Sequence, residues 1–244
     1  MPLIDLLSPG ITDTKYLRRV VQTYFNLAIP NFFMDENIEL ELRAEVSVEN
    51  RELLEKDLEE RGSFHSRTER LSVMYFGKIG QEKIDVRVRI TNGECEIVVK
   101  SGLFGSHDRF EIAQKINPDQ FLGMVKIFFQ FGFTMKVGER ETVNYALPGN
   151  VVASLVSAGP ISYVEFEKMS SPSCVEEDYK QLKKLTEQFD VQLLKSEEEF
   201  DALCKRLDET VDWSFSGTSD EYVRLKKSVN RHVDIKKKEE GSVN

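Results

Sequence analysis

Residues 38–46 read Ile-Glu-Leu-Glu-Leu-Arg-Ala-Glu-Val, a strict alternation of apolar and charged side chains. Successive side chains of a strand point to opposite faces. Glu39, Glu41, Arg43 and Glu45 therefore share one face, and Ile38, Leu40, Leu42, Ala44 and Val46 share the other. The pattern recurs along the chain. Arg87 and Arg89 oppose Val86, Val88 and Ile90, while Glu94, Glu96, Val98 and Lys100 oppose Cys95, Ile97 and Val99. Arg109 shares a face with Glu111, Lys136 with Arg140, and Glu165 with Glu167. Strands are expected near 37–46, 66–77, 83–91, 94–101, 108–116, 133–147, 149–156 and 160–169.

The ordinary meaning of such alternation is an antiparallel sheet with one buried and one solvated face. The charges here are unusual in coming as like pairs. Like charges two apart on one face repel, so the glutamate pairs and the Arg87/Arg89 pair point to a bound counter-charge. Paired carboxylates can hold a divalent cation, and paired arginines can hold phosphate oxygens.

Helices are expected between and beyond the strands. Residues 12–28 carry Tyr16, Val20, Tyr24 and Leu27 at helical spacing. Ser47 can cap a helix carrying Leu53, Leu54 and Leu58 that Gly62 stops. Asn117-Pro118 opens another, carrying Phe121, Val125, Phe128 and Phe129 and stopping near Gly132. Residues 173–233 are helical in pattern, with capping boxes at Ser173/Glu176, Ser196/Glu199 and Thr218/Glu221. The organisation expected is a helical segment over 1–36, a strand domain over 37–170, a helical extension over 171–233 and a flexible polar tail over 234–244.

Composition excludes several classes. Cys95, Cys174 and Cys204 are odd in number and far apart, so neither a disulfide framework nor a zinc-thiolate site is expected. His65, His107 and His232 lack ligand spacing, so any metal should be oxygen-bound. No apolar run is long enough for a membrane helix, and the start, Met-Pro-Leu-Ile-Asp-Leu-Leu, has no basic stretch before it. A cytoplasmic protein without a membrane partner is expected. The net charge of −9 argues against a broad nucleic-acid surface. Residues 171–213 hold 12 acidic and 6 basic side chains, however, so much of the acidity lies outside the strand region.

The ordered motifs resemble the CYTH domain of the triphosphate tunnel metalloenzyme superfamily. Glu39-Leu40-Glu41-Leu42-Arg43 resembles its opening ExExK, with arginine in place of lysine. Val86-Arg87-Val88-Arg89, Val98-Val99-Lys100-Ser101-Gly102 and Asp108-Arg109-Phe110-Glu111 resemble the strands that follow. Tyr163-Val164-Glu165-Phe166-Glu167 resembles the closing strand. The resemblance covers about 37–169 and implies an α+β fold: an eight-stranded antiparallel β-barrel, open as a tunnel, with packing helices and here a helical C-terminal extension. It implies hydrolysis of a triphosphate (inorganic, thiamine or nucleoside) with Mg²⁺ or Mn²⁺. Arg43, Arg87, Arg89, Lys100, Arg109, Lys136 and Arg140 would bind substrate. Glu39, Glu41, Glu111, Glu165 and Glu167 would hold metal, and Glu39, Glu41, Arg43 and Glu167 would form the catalytic set. The family often carries an aspartate before the closing strands, and residues 147–160 contain none. Alternatives are a class IV-type adenylate cyclase, an RNA 5′-triphosphatase, and a non-catalytic polyphosphate- or nucleotide-binding module. The extension would cap a tunnel mouth or form a homodimer interface. Glu45, Glu69, Glu94 and Glu96 read as solvated rim charges, Arg67 and Arg70 fit lumen or surface equally, and Trp213 reads as an anchor for the extension.

Overall fold

The computed structural model describes residues 38–79, 82–101 and 108–241, all within the compact unit 37–244. The helix expected over 12–28 lies outside the described residues. Eight long strands form, each close to its expected bounds: β1 (Ile38–Val46), β2 (Ser63–Ile79), β3 (Glu82–Thr91), β4 (Glu94–Ser101), β5 (Asp108–Ile116), β6 (Thr134–Leu147), β7 (Val151–Ala158) and β8 (Ile161–Ser170). A two-residue strand, β9 (Trp213–Ser214), adds to β6.

The sheet order is β2-β3-β4-β5-β1-β8-β7-β6, and β6 pairs back onto β2 from Ser63↔Ala146 to Phe76↔Thr134. Every pairing is antiparallel, so the sheet curls into a ring in which each long strand has two neighbours. Local chemistry sets the hairpins. Between β3 and β4, Asn92 and Gly93 both adopt positive φ (47° and 80°), the pair that a two-residue hairpin turn requires. The ring is narrowest in pairing at β1–β5, where Glu39↔Arg109 and Leu40↔Asp108 are the register partners. Further along β1 the extension covers the edge: the Leu194 N–H donates to the Arg43 carbonyl at 2.8 Å, and Leu193 bridges Ala44.

Among the described residues five helices pack outside: α1 (Val48–Arg61), α2 (Phe121–Phe129), α3 (Val175–Thr186), α4 (Glu197–Thr210) and α5 (Ser219–Gly241). The apolar faces of the strands turn outward to meet them. Leu40, Leu42, Val164 and Phe166 join Leu58 of α1 and Leu182 of α3 in one core. Leu71, Val73, Val88 and Val137 join Val125 of α2 and Leu225 of α5 in another. Each such buried aliphatic or aromatic side chain stabilises by about 1.5–3 kcal/mol. With the apolar faces under helices, the alternating charged faces point into the barrel.

Ser47 caps α1 by accepting from the Asn50 N–H at 3.3 Å, and Gly62 follows its end. Asn117-Pro118 opens a 3₁₀ turn, Pro118–Gln120, that leads into α2. Thr218 and Glu221 exchange both bonds of a capping box. Two expected boxes are corrected. Ser196 accepts from the Glu199 N–H, but Glu199 takes the Lys195 N–H instead of that of Ser196. Helix α3 starts one residue later than Ser173 implies, because a turn from Ser171 C=O to Cys174 N–H makes Cys174 the cap. Trp213 anchors the extension as expected: it pairs with Val137, and the Arg224 guanidinium lies 4.2 Å from its ring centroid. No helix among the described residues is long and apolar enough to cross a membrane.

Candidate metal and polyanion site in the barrel lumen

Strand register decides which charges meet. Glu41 lies opposite Glu167, and Arg43 opposite Glu165, across β1 and β8. Arg70 of β2 faces Arg140 of β6, and Asp85 of β3 faces Lys100 of β4, which in turn faces Glu111 of β5. The side chains of Arg43, Arg70, Arg87, Arg140, Tyr163 and Glu165 line a cavity of about 140 Å³ inside the barrel.

Carboxylate oxygens of Glu41, Glu165 and Glu167 come within 4.8 Å of one another. All three side chains are withdrawn from solvent, and Glu41 is 7% exposed. Its Oε1 makes no hydrogen bond, although the Arg43 guanidinium is in ion contact with it. Burial, aided by Glu165 and Glu167 and opposed by Arg43, raises Glu41 well above the usual carboxylate range. Burial next to Glu165 and Glu39 pushes Glu167 up to about 8. Burial also works against charge on Glu165, but Arg43, 2.8 Å away, and a hydrogen bond from Glu41 hold it down at about 2. Near neutral pH the trio therefore keeps the charge of Glu165, paired with Arg43, while Glu41 and Glu167 are held towards the protonated form. A hard divalent cation that displaces those protons would find three converging oxygen ligands.

The cations surround this trio, each in a different state. Arg87 forms two bonds to Asp85, at 2.8 and 3.0 Å. Arg89 bridges Glu96 at 2.7 Å and Glu111 at 3.2 Å. Lys100 bridges Glu39 at 3.2 Å and Glu111 at 2.6 Å. Burial opposes the charge on Glu111, yet Lys100 and Arg89 hold it below its ordinary value. Lys136 meets Asp208 of α4, and Arg140 forms two bonds to Asp212. The Arg43 guanidinium lies 4.7 Å from the ring centroid of Phe200 in α4. Arg70 has the Thr91 hydroxyl at 3.0 Å as its partner, and among the described residues no carboxylate ion-pairs with it. Burial, with Arg89 and Arg87 nearby, lowers its proton affinity.

Of the five metal candidates, the structure brings together Glu41, Glu165 and Glu167. Glu39 and Glu111 instead flank Lys100. Of the cation candidates, Arg43, Arg87, Lys136 and Arg140 line the cavity. Lys100 and Arg89 stand among Glu39, Glu96 and Glu111. Arg109 is placed by register opposite Glu39. Three residues were missed or misread from sequence. Arg70 lines the cavity, Asp85 is buried against Arg87, and Glu96 is a lumen partner of Arg89 instead of a rim charge. Asp85 was legible two positions before Arg87, on the same face.

No family model and no curated protein matches the chain. Solved structures do. The PH1012 protein of Pyrococcus horikoshii aligns at 20% identity over 66% of this chain and 93% of its own, with a TM-score of 0.52. The PH1819 protein of the same organism aligns at 19% identity over 69% and 99%, also with a TM-score of 0.52. A Hippeastrum protein, described as a candidate adenylyl cyclase with a dominant triphosphatase activity, aligns at 16% identity over 69% and 95%, with a TM-score of 0.45. At these identities the likeness is one of fold. What the chain shares with these structures is the architecture, a ring of eight antiparallel strands with helices packed outside it. About a third of this chain lies outside each alignment.

Proposed function

We propose that this protein is a metal-dependent hydrolase of a triphosphate held in the lumen. The observation that carries the reading is the convergence of Glu41, Glu165 and Glu167 within 4.8 Å beside Arg43, in a lumen that Arg70 and Arg87 line from the strands β2 and β3. The glutamates would hold Mg²⁺ or Mn²⁺, which supplies charge neutralisation at phosphate oxygens. The chain's own residues do the rest. Arg70 and Arg87 offer guanidinium forks to phosphate oxygens. Arg43 keeps Glu165 ionised, so that the carboxylate is ready to ligate. Lys100, poised between Glu39 and Glu111, adds a point charge that either carboxylate can release to substrate. In the reaction, water attacks the terminal phosphorus, the bond to the bridging oxygen breaks, and a lumen carboxylate takes the water's proton.

A second reading, a non-catalytic polyphosphate- or nucleotide-binding module, is favoured by one feature. Arg87, Arg89, Lys136 and Arg140 are each already paired with a carboxylate. One panel separates the readings. Tripolyphosphate, thiamine triphosphate and ATP are offered with Mg²⁺ or Mn²⁺, and phosphate, pyrophosphate and cyclic nucleotide are read separately. Metal-dependent phosphate release that disappears in Glu41→Gln and Glu167→Gln supports the hydrolase. Tight binding without turnover supports the module, and cyclic nucleotide with pyrophosphate replaces both with a cyclase.

A further inference from the structure

Two of the lumen cations are taken by carboxylates that do not belong to the eight-stranded wall. Lys136 meets Asp208 of α4. Arg140 grips Asp212, just past α4, with bonds of 2.7 and 2.9 Å, and the Asp212 side chain is 1% exposed. The wall is shaped to admit this second carboxylate. Gly138 stands between Lys136 and Arg140, and a Cβ there would fall 2.4 Å from Asp212 Oδ1. Leu203, Cys204 and Leu207 of α4 line the same cavity, and Arg206 ties the helix to Glu45 at the end of β1. The space left is about 140 Å³, well under the roughly 300–1,000 Å³ of an ordinary ligand pocket.

We propose that Asp208 and Asp212 set the length of the polyphosphate chain that the lumen accepts, by filling with carboxylate the place a further phosphate would occupy. The inference rests on the triphosphate reading above. A guanidinium fork binds carboxylate and phosphate oxygens with the same geometry, so Asp212 on Arg140 occupies a phosphate position. Beyond the reach of Arg43, Arg70 and Arg87, a longer chain meets Lys136 and Arg140 already neutralised by Asp208 and Asp212. Rejection of the longer chain comes from that lost attraction and from the room the Asp212 carboxylate takes up.

The test uses the full chain with Mg²⁺, offered tripolyphosphate and tetrapolyphosphate in parallel, with binding followed by calorimetry and turnover by released phosphate. The wild-type protein is expected to favour the shorter chain by about tenfold or more. Asp208→Asn and Asp212→Asn are each expected to narrow that ratio, and the double variant to abolish it. Asp208 is 47% exposed on its side chain, so its variant keeps the test valid if Asp212→Asn fails to fold. A folded Asp208→Asn protein with an unchanged ratio, or a wild-type protein that binds both chains equally, overturns the proposal and leaves the triphosphate reading standing. Binding of neither chain by any variant overturns the triphosphate reading itself, and this proposal with it.

Discussion

Glu41 and Glu167 face each other across β1 and β8 at one register position, two like charges where a stable sheet would place a complementary pair. The cost shows as a carboxyl held protonated: Glu167 rises to about 8 because burial and the neighbouring Glu165 and Glu39 oppose its charge. A carboxyl raised in the folded state stabilises fully below its unfolded pKa, and that contribution is lost as pH rises through the folded value. The metal-free protein should therefore lose stability as pH rises from about 5 to about 8 and level off above that. Glu167→Gln should flatten the profile, and Mg²⁺ should restore stability at the alkaline end. Thermal melts across that range, with and without EDTA, check it; a profile identical in wild type and variant refutes it.

The same protonation links metal binding to pH. A cation entering the trio must displace the proton that Glu41 or Glu167 holds. Apparent Mg²⁺ affinity should rise by about tenfold per pH unit from pH 6 towards 8 if one proton leaves. Calorimetry in two buffers of different ionisation enthalpy counts the protons directly. A count of zero would place the ion elsewhere.

The charges of β1 and β8 were legible because period-two alternation is a local signal, written in Glu39–Glu45 and Tyr163–Glu167 themselves. Arg70 was not, since Ser66-Arg67-Thr68-Glu69-Arg70 is polar on both faces and offers no alternation to fix its side. The parity of Leu71, Val73 and Tyr75 just beyond settles it, but counting back from them requires knowing that the strand is unbroken. Asp208 and Asp212 were beyond sequence reasoning altogether. They reach Lys136 and Arg140 across 72 residues, a meeting set by how α4 docks and not by any spacing within the chain.

Arg70 gives a prediction in which binding and stability part company. It is a half-buried guanidinium whose charge burial, Arg89 and Arg87 all oppose. Removing a charge that has no carboxylate ion pair among the described residues, only the more distant Glu165 and Glu167 in its favour, should leave folding intact or improve it. Arg70→Ala should thus weaken triphosphate binding by about 10- to 100-fold while the melting temperature holds or rises. Arg70→Lys should recover part of the binding, since it keeps the charge and loses the fork. A variant that loses binding and stability together would make Arg70 a structural residue.

Gly138 tests how tightly the lumen wall is built around Asp212, and Gly123 on an outer helix serves as its control. At Gly138 an added Cβ would lie 2.4 Å from Asp212 Oδ1 and 2.9 Å from Arg140 Nη1, so Gly138→Ala must push the Arg140–Asp212 pair apart. A buried, doubly bonded ion pair forced from its geometry should cost about 1–3 kcal/mol. Gly123, within α2, has nothing within 4 Å of an added Cβ, and alanine is the better helix former. Gly123→Ala should stabilise by about 0.5–1 kcal/mol. Denaturant melts of the two variants should therefore move in opposite directions from the wild type. Adding Asp212→Asn to Gly138→Ala should cost less than the two single losses combined, because both act on one pair. Strict additivity in that cycle would show that Gly138 is kept for the strand's own packing and not to seat Asp212.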